Sequence, residues 1–143
     1  MSEAPAAVDW TEVLKDAVLA EVDPQEVDVY GDVDQQRRWE GKTIVEIGLR
    51  NVDQRNYIDG SFRRTFNYSS FIRAKTYEES FRLTWELAKN VFKRELFQRV
   101  QAGELETYTI EDVGIENDVI DKTRGDSFTG YILFKIVEPI STF

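Results

Sequence analysis

Between Thr76 and Gly103 the chain carries one helical signal long enough to dictate what can surround it. Thr76 and Glu79 stand at capping-box spacing, and Gly103 suits the position just past a helix end. Phe81, Trp85, Ala88, Phe92 and Leu96 recur at the helical period, flanked by Leu83, Leu87 and Val91. About 25 residues at 1.5 Å each make a rod on the order of 37 Å. A rod of that length with a wide apolar arc calls for a sheet to lie across, so the spacing predicts a helix over 77–102 with the Phe81-to-Leu96 stripe as its core face.

Strand patterns lie on both sides of it. Upstream, Val27, Val29 and Val33 alternate with acids, and Val45, Ile47 and Leu49 alternate with Glu46, Gly48 and Arg50. Gly31 marks a bulge or bend in the first run, and the two runs suit an antiparallel hairpin if the first extends toward Trp39. Residues 51–61 read as a loop, and Phe62 to Ala74 as a third strand with Phe66, Tyr68 and Ile72 on one parity and Phe71 on the other. Downstream, Tyr108 and Ile110 are followed by Val113 and Ile115 after a phase slip; later Ile132, Phe134 and Ile136 alternate with Tyr131, Leu133, Lys135 and Val137. A run apolar on both parities belongs inside a sheet and not at its edge.

Near the N-terminus, Asp9 and Glu12 frame Trp10, Val13, Leu14, Ala17 and Val18, which predicts a helix over 10–22 ended by Asp23-Pro24, after a lead-in over 1–8. The expected architecture is one α+β domain over 1–143: a small antiparallel or mixed β-sheet packed against one long helix, with a short N-terminal helix. Strands occupy 27–74 and 105–138, the latter pair joined by a connector at 116–128.

Composition narrows the chemistry. The sequence has neither cysteine nor histidine, which removes disulfides, thiolate sites, the usual zinc ligands and the commonest general base. Its eight glycines never fall into phosphate-loop or dinucleotide spacing. The acids of IEDVGIENDVID do not follow a calcium-loop pattern, and adjacent Glu111 and Asp112 would face opposite sides of a strand. No catalytic, metal or cofactor-binding residue is therefore assigned, and a non-enzymatic role is expected. No run approaches the roughly 20 apolar residues of a membrane span, and MSEAPAAVDW lacks the features of a secretory signal.

Charge is segmented. The formal net charge is -9, with ten acids against one base over 1–34, five bases against one acid over 55–75, and eight acids against two bases over 104–126. Over 55–75, Arg55, Arg63, Arg64, Arg73 and Lys75 interleave with Tyr57, Phe62, Phe66, Tyr68 and Phe71. That pattern fits stacking on single-stranded nucleic acid, a charge contact between subunits, or a plain solvated surface. A two-residue turn would join the last two strands, so the longer connector, with Asp118, Asp121, Lys122 and Arg124, is expected to project toward a neighbour.

The order of elements, the ExxxLxxEL-like face at Glu79, Leu83, Glu86 and Leu87, and the ending YTIEDV…FTGYILFKIVEP resemble the tail terminator and tail-completion proteins of tailed bacteriophages. The resemblance implies a virion protein assembled in the host cytoplasm. It implies a homo-oligomeric, commonly hexameric, ring at the head-proximal end of the tail, which ends tail-tube growth, meets tube and neck proteins and lets DNA cross its lumen without specific binding. Arg55, Arg63, Arg64, Arg73, Asp118, Asp121, Lys122 and Arg124 are then candidate subunit or tube contacts, and Asp28, Asp32 and Asp34 candidate lumen acids. Alternatives are another neck component, a stopper or head-completion protein, or a small nucleic-acid-binding module using 55–75.

Overall fold

The computed structural model describes residues 8–34, 36–39, 41–118 and 127–142, with backbone alone at 117 and 118. Helix α1 (Trp10–Leu19) precedes strands β1 (Val27–Tyr30), β2 (Thr43–Asn56) and β3 (Phe62–Ala74). A long helix follows, α2 (Tyr77–Glu86) running through a π-helical segment (Leu87–Phe92) into α3 (Lys93–Gln101), 25 residues in all. Strands β4 (Thr107–Asp118) and β5 (Ser127–Val137) complete a five-stranded sheet in the order β1-β2-β3-β5-β4, mixed because β1 runs parallel to β2 while every other pair is antiparallel. The α+β class is as expected, and β5 is an interior strand.

Local chemistry sets the helix ends. The Asp9 carboxylate accepts the Glu12 N–H at 3.3 Å and the Thr76 hydroxyl accepts that of Glu79 at 3.2 Å. The Glu79 carboxylate accepts the Thr43 hydroxyl at 2.7 Å, tying the helix start to β2. Gly103, at φ +79, closes the far end in the left-handed region. Helix α1 stops at Leu19, short of residue 22, and turns carry the chain to Asp23-Pro24.

Both helical units cover the same face of the sheet. Trp10, Leu14 and Val18 of α1 and Leu83, Leu87, Ala88, Val91, Phe92 and Leu96 of the long helix meet Val45, Ile47, Tyr68, Ile72, Ile132, Phe134 and Ile136 in one core. Phe92 stacks on Phe134, which stacks on Tyr68, at centroid distances of 5.1 and 5.5 Å. The first half of the long helix approaches closely because small residues line the seam: Ser80 and Thr84 are fully buried, and a Cβ on Gly130 would fall 1.9 Å from Thr84 Oγ1.

Four expectations are corrected. The stripe facing the core is not Phe81 to Leu96 throughout: Phe81 is exposed and Trp85 half-buried, while Ser80, Leu83, Thr84 and Leu87 point inward. An uninterrupted α-helix would continue that inward face at Asn90, Arg94 and Gln98, all exposed. The π-helical turn inserts one residue and rotates the second half so that Ala88, Val91, Phe92 and Leu96 face the sheet.

The first two strands do not form an antiparallel hairpin. Residues after Gly31 fold back over the other face, where Arg37 pairs with Asp32 at 2.8 Å and Glu46 at 3.2 Å and stacks 3.6 Å from the Tyr30 ring. The Asp34 N–H also donates to Glu46, at 2.9 Å. The chain thus re-enters beside β1 in the same direction, and the connection over 31–42 has the length a parallel pair requires.

Residues 51–56 are strand and not loop. They pair with β3 through Asn56↔Phe62 and are exposed on both faces, so no alternation reveals them. The true turn is 57–61: Gly60 takes φ +86, its N–H donates to Tyr57 O at 3.0 Å, the Tyr57 N–H donates to Ser61 O at 2.9 Å, and Asp59 accepts the Ser61 N–H at 2.9 Å. The connector at 116–128 narrows as well, since β4 reaches Asp118 and β5 restarts at Ser127. Asp121, Lys122 and Arg124 lie outside the described residues, as does the rest of 119–126.

Candidate functional site

With both helical units on one side, the second face of the sheet is covered, among the described residues, only by the segment after Gly31 and by side chains. Over β1 and the start of β2 the 31–39 segment shields it, which is why Glu46 is only 3% exposed. Partial burial works against the Arg37 charge, but hydrogen bonds to Glu46 and Asp32 outweigh it and hold the guanidinium pKa above its ordinary value. Trp39 supports the segment by donating its indole N–H to Lys42 O at 2.8 Å. Over β3, β5 and β4 the face is open and carries Asn67, Ser69 and Phe71, then Lys135, Leu133 and Tyr131, then Asp112, Gly114 and Glu116.

Two β-bulges sit on one line across this sheet. Arg50 is the extra residue of β2 beside Leu49↔Tyr68, and Glu111 the extra residue of β4 beside Ile110↔Phe134; Tyr68 and Phe134 are themselves register partners. Three strand spacings, about 14 Å, separate β2 from β4, yet Arg50 and Glu111 approach to 4.0 Å. Stacked Tyr68 and Phe134 fill the core side of that line, so the pair meets over the open face. Both side chains are about 40% exposed, so the contact orients them more than it stabilises the fold. The bulge also breaks the alternation assumed for Glu111 and Asp112: Glu111 reaches Arg50, whereas Asp112 lies beside Tyr131, whose phenol it pushes up, helped by burial and Glu116. Tyr131 covers Gly114 so closely that a Cβ there would fall 2.4 Å from its hydroxyl.

The residues singled out by charge pattern do not form one cluster. Arg64 is engaged internally, 2.9 Å from Glu138, a carboxylate that also accepts the Trp10 indole N–H at 3.3 Å. Arg63 and Arg73 lie half-buried on the open-face parity of β3, each with a buried Nε that has no hydrogen-bond partner among the described residues. Arg55 is exposed, opposite Arg63. Phe62, Phe66 and Tyr68 are buried, which removes three rings of the 55–75 segment from stacking on a nucleic acid. Of the acids expected at a lumen, Asp28 pairs with Lys42 at 2.9 Å, Asp32 pairs with Arg37, and Asp34 accepts the Gln36 N–H at 2.9 Å. Asp118 ends the edge strand β4.

Arg50, Tyr131 and Leu133 stand in the sequence as strand positions with no sign of their place on this face. The phase slip before Val113 marks the β4 bulge, but nothing local marks that of β2.

Both sheet edges are open along much of their length. Among the described residues, strand β1 flanks β2 only through Glu46, leaving Leu49 to Asn56 with no strand on their outer side, and β4 has none on its outer side. Leu49, Val52 and Ile58 are exposed along the β2–β3 hairpin. A groove beside the end of β1, lined by Thr11, Val33, Leu49 and Phe71, opens where β2 loses its partner. No helix of the described residues is long and apolar enough to cross a membrane. No family model matches the chain, and no curated protein is significantly similar to it.

Proposed function

We propose that this chain is the subunit of a homo-oligomeric ring in the tail and neck of a tailed-bacteriophage virion, acting as a terminator that ends tail-tube growth and joins the tube to the neck. The observation that carries the reading is the one-sided layering: the described helices lie on one face of a five-stranded sheet, and the other face presents Phe71, Tyr131 and Leu133 among charged residues. A sheet face left half-covered, with apolar side chains among charges, offers a surface that other protein subunits can complete. The net charge of -9 suits a lumen that DNA crosses without adhering, because binding to the phosphate backbone draws on lysine and arginine. The burial of Phe62, Phe66 and Tyr68 weighs against the nucleic-acid-module alternative.

The functional test is to add the chain to polymerising tail-tube protein and image the product by negative stain. Termination predicts tubes of arrested growth carrying a ring at one end. Tubes of unchanged length with bare ends would overturn the assignment.

A further inference from the structure

The two open edges differ in a way that selects a partner. Around β4, residues 104–118 hold six acids and no base; around the β2–β3 hairpin, residues 50–64 hold four bases and two acids. Pairing β4 with the β4 of another copy would bring acid against acid, which is how native sheets keep edges apart. Pairing β4 with β2 brings unlike charges together. Strand direction agrees: β2 and β5 run one way and β3 and β4 the other. A cyclic operation with its axis along the strands preserves direction, so β4 of one copy meets β2 of the next antiparallel.

We propose that the ring closes by β-strand addition between copies, the outer edge of β4 pairing with residues 51–55 of β2 in the next subunit. This rests on the ring reading above and adds its interface. The faces dictate the register. Asn51, Asp53 and Arg55 share the open face with Asp112, Gly114 and Glu116, while Val52 and Gln54 share the opposite face with Val113 and Ile115. Keeping faces together leaves registers two residues apart. One sets Asp53 against Asp112, and another sets it against Glu116. The register between them opposes Arg55 to Asp112, Asp53 to Gly114 and Val52 to Ile115, so that opposite charges and two apolar side chains meet and like charges do not. Arg55 has no ion pair within its own chain among the described residues, and Val52 is 44% exposed, so both are available.

The chain has no cysteine, so introduced pairs report cleanly. The Val52→Cys/Ile115→Cys double variant, oxidised and run without reductant, is expected to give a ladder of covalent oligomers, because opposed residues of an antiparallel pair lie within disulfide reach. Val52→Cys alone, Ile115→Cys alone and the off-register pair Val52→Cys/Val113→Cys are expected to give none. An independent arm uses exposed charges: Arg55→Asp should dissociate the assembly, and Arg55→Asp/Asp112→Arg should restore it. Rings by native mass spectrometry without the double-variant ladder overturn the edge pairing and leave the ring reading standing. Covalent dimers from Val52→Cys alone would replace it with a β2–β2 contact. A strict monomer overturns both.

Discussion

Replacing Gly130 by alanine tests how the long helix is seated. The new Cβ would lie 1.9 Å from Thr84 Oγ1, 2.9 Å from Thr84 Cβ and 3.1 Å from Thr84 Cγ2. Rotation about χ1 can move the hydroxyl but not the Cβ, so the helix must lift from β5 by several tenths of an ångström, at the start of a core built on the Phe92–Phe134–Tyr68 stack. Overpacking of this kind costs about 1–3 kcal/mol, or a fall in Tm of very roughly 3–10 °C for a chain of this size. Thr84→Ala alone should be close to neutral, because its buried hydroxyl has no hydrogen-bond partner among the described residues. In the double variant it removes the Oγ1 and Cγ2 contacts but keeps the Cβ at 2.9 Å, so it should recover only part of the loss. Urea unfolding followed by circular dichroism at constant m-value gives the cycle. A loss below about 0.3 kcal/mol for Gly130→Ala, or no coupling to Thr84, would refute the close seam.

Other perturbations probe the remaining supports. Arg37→Met leaves Glu46 buried with a single N–H donor and should destabilise by about 2–4 kcal/mol, with Arg37→Met/Glu46→Met recovering most of it; equal losses in single and double variants would count against the pair. Arg64→Ala should lower stability by about 1–2 kcal/mol and leave retention on single-stranded DNA unchanged at any salt, because its partner is Glu138 within the same chain. Burial pushes the Tyr68 phenol above its ordinary value of 10.0, so the folded state holds that proton where the unfolded state loses it. Stability should therefore fall as pH rises above about 10, and Tyr68→Phe should flatten that alkaline limb in unfolding curves; an unchanged limb would show that Tyr68 does not contribute.

What could be read from the sequence is what local chemistry decides. Helix starts at Asp9 and Thr76, the stop at Gly103 and the phase slip in β4 depend on residues within one turn or one strand, and each is found where its pattern lies. Parallel pairing of β1 was hidden because a contact nine residues apart in sequence, Arg37 with Glu46, draws the acid-rich segment across the sheet instead of letting it continue as strand. The length of β2 was hidden for the opposite reason: residues 51–56 are held by the β3 ladder alone and face solvent on both sides, so they carry no alternation. The core stripe of the long helix was misplaced because periodicity assumes a constant 3.6-residue turn, and one inserted residue between Leu87 and Phe92 shifts everything after it. The candidate surface suffers most from this, since Arg50 and Glu111 are brought together by two bulges on one line, a coincidence that only the register reveals.

The proposed function requires the chain to form a closed ring, and native mass spectrometry over a range of micromolar concentrations measures that directly. The proposed ring predicts a single dominant assembly at an integer multiple of the 16.6 kDa subunit mass, six copies for a hexameric terminator, with end-on images showing a central channel. A species at 16.6 kDa throughout that range, unchanged when tail-tube protein is added, would contradict it.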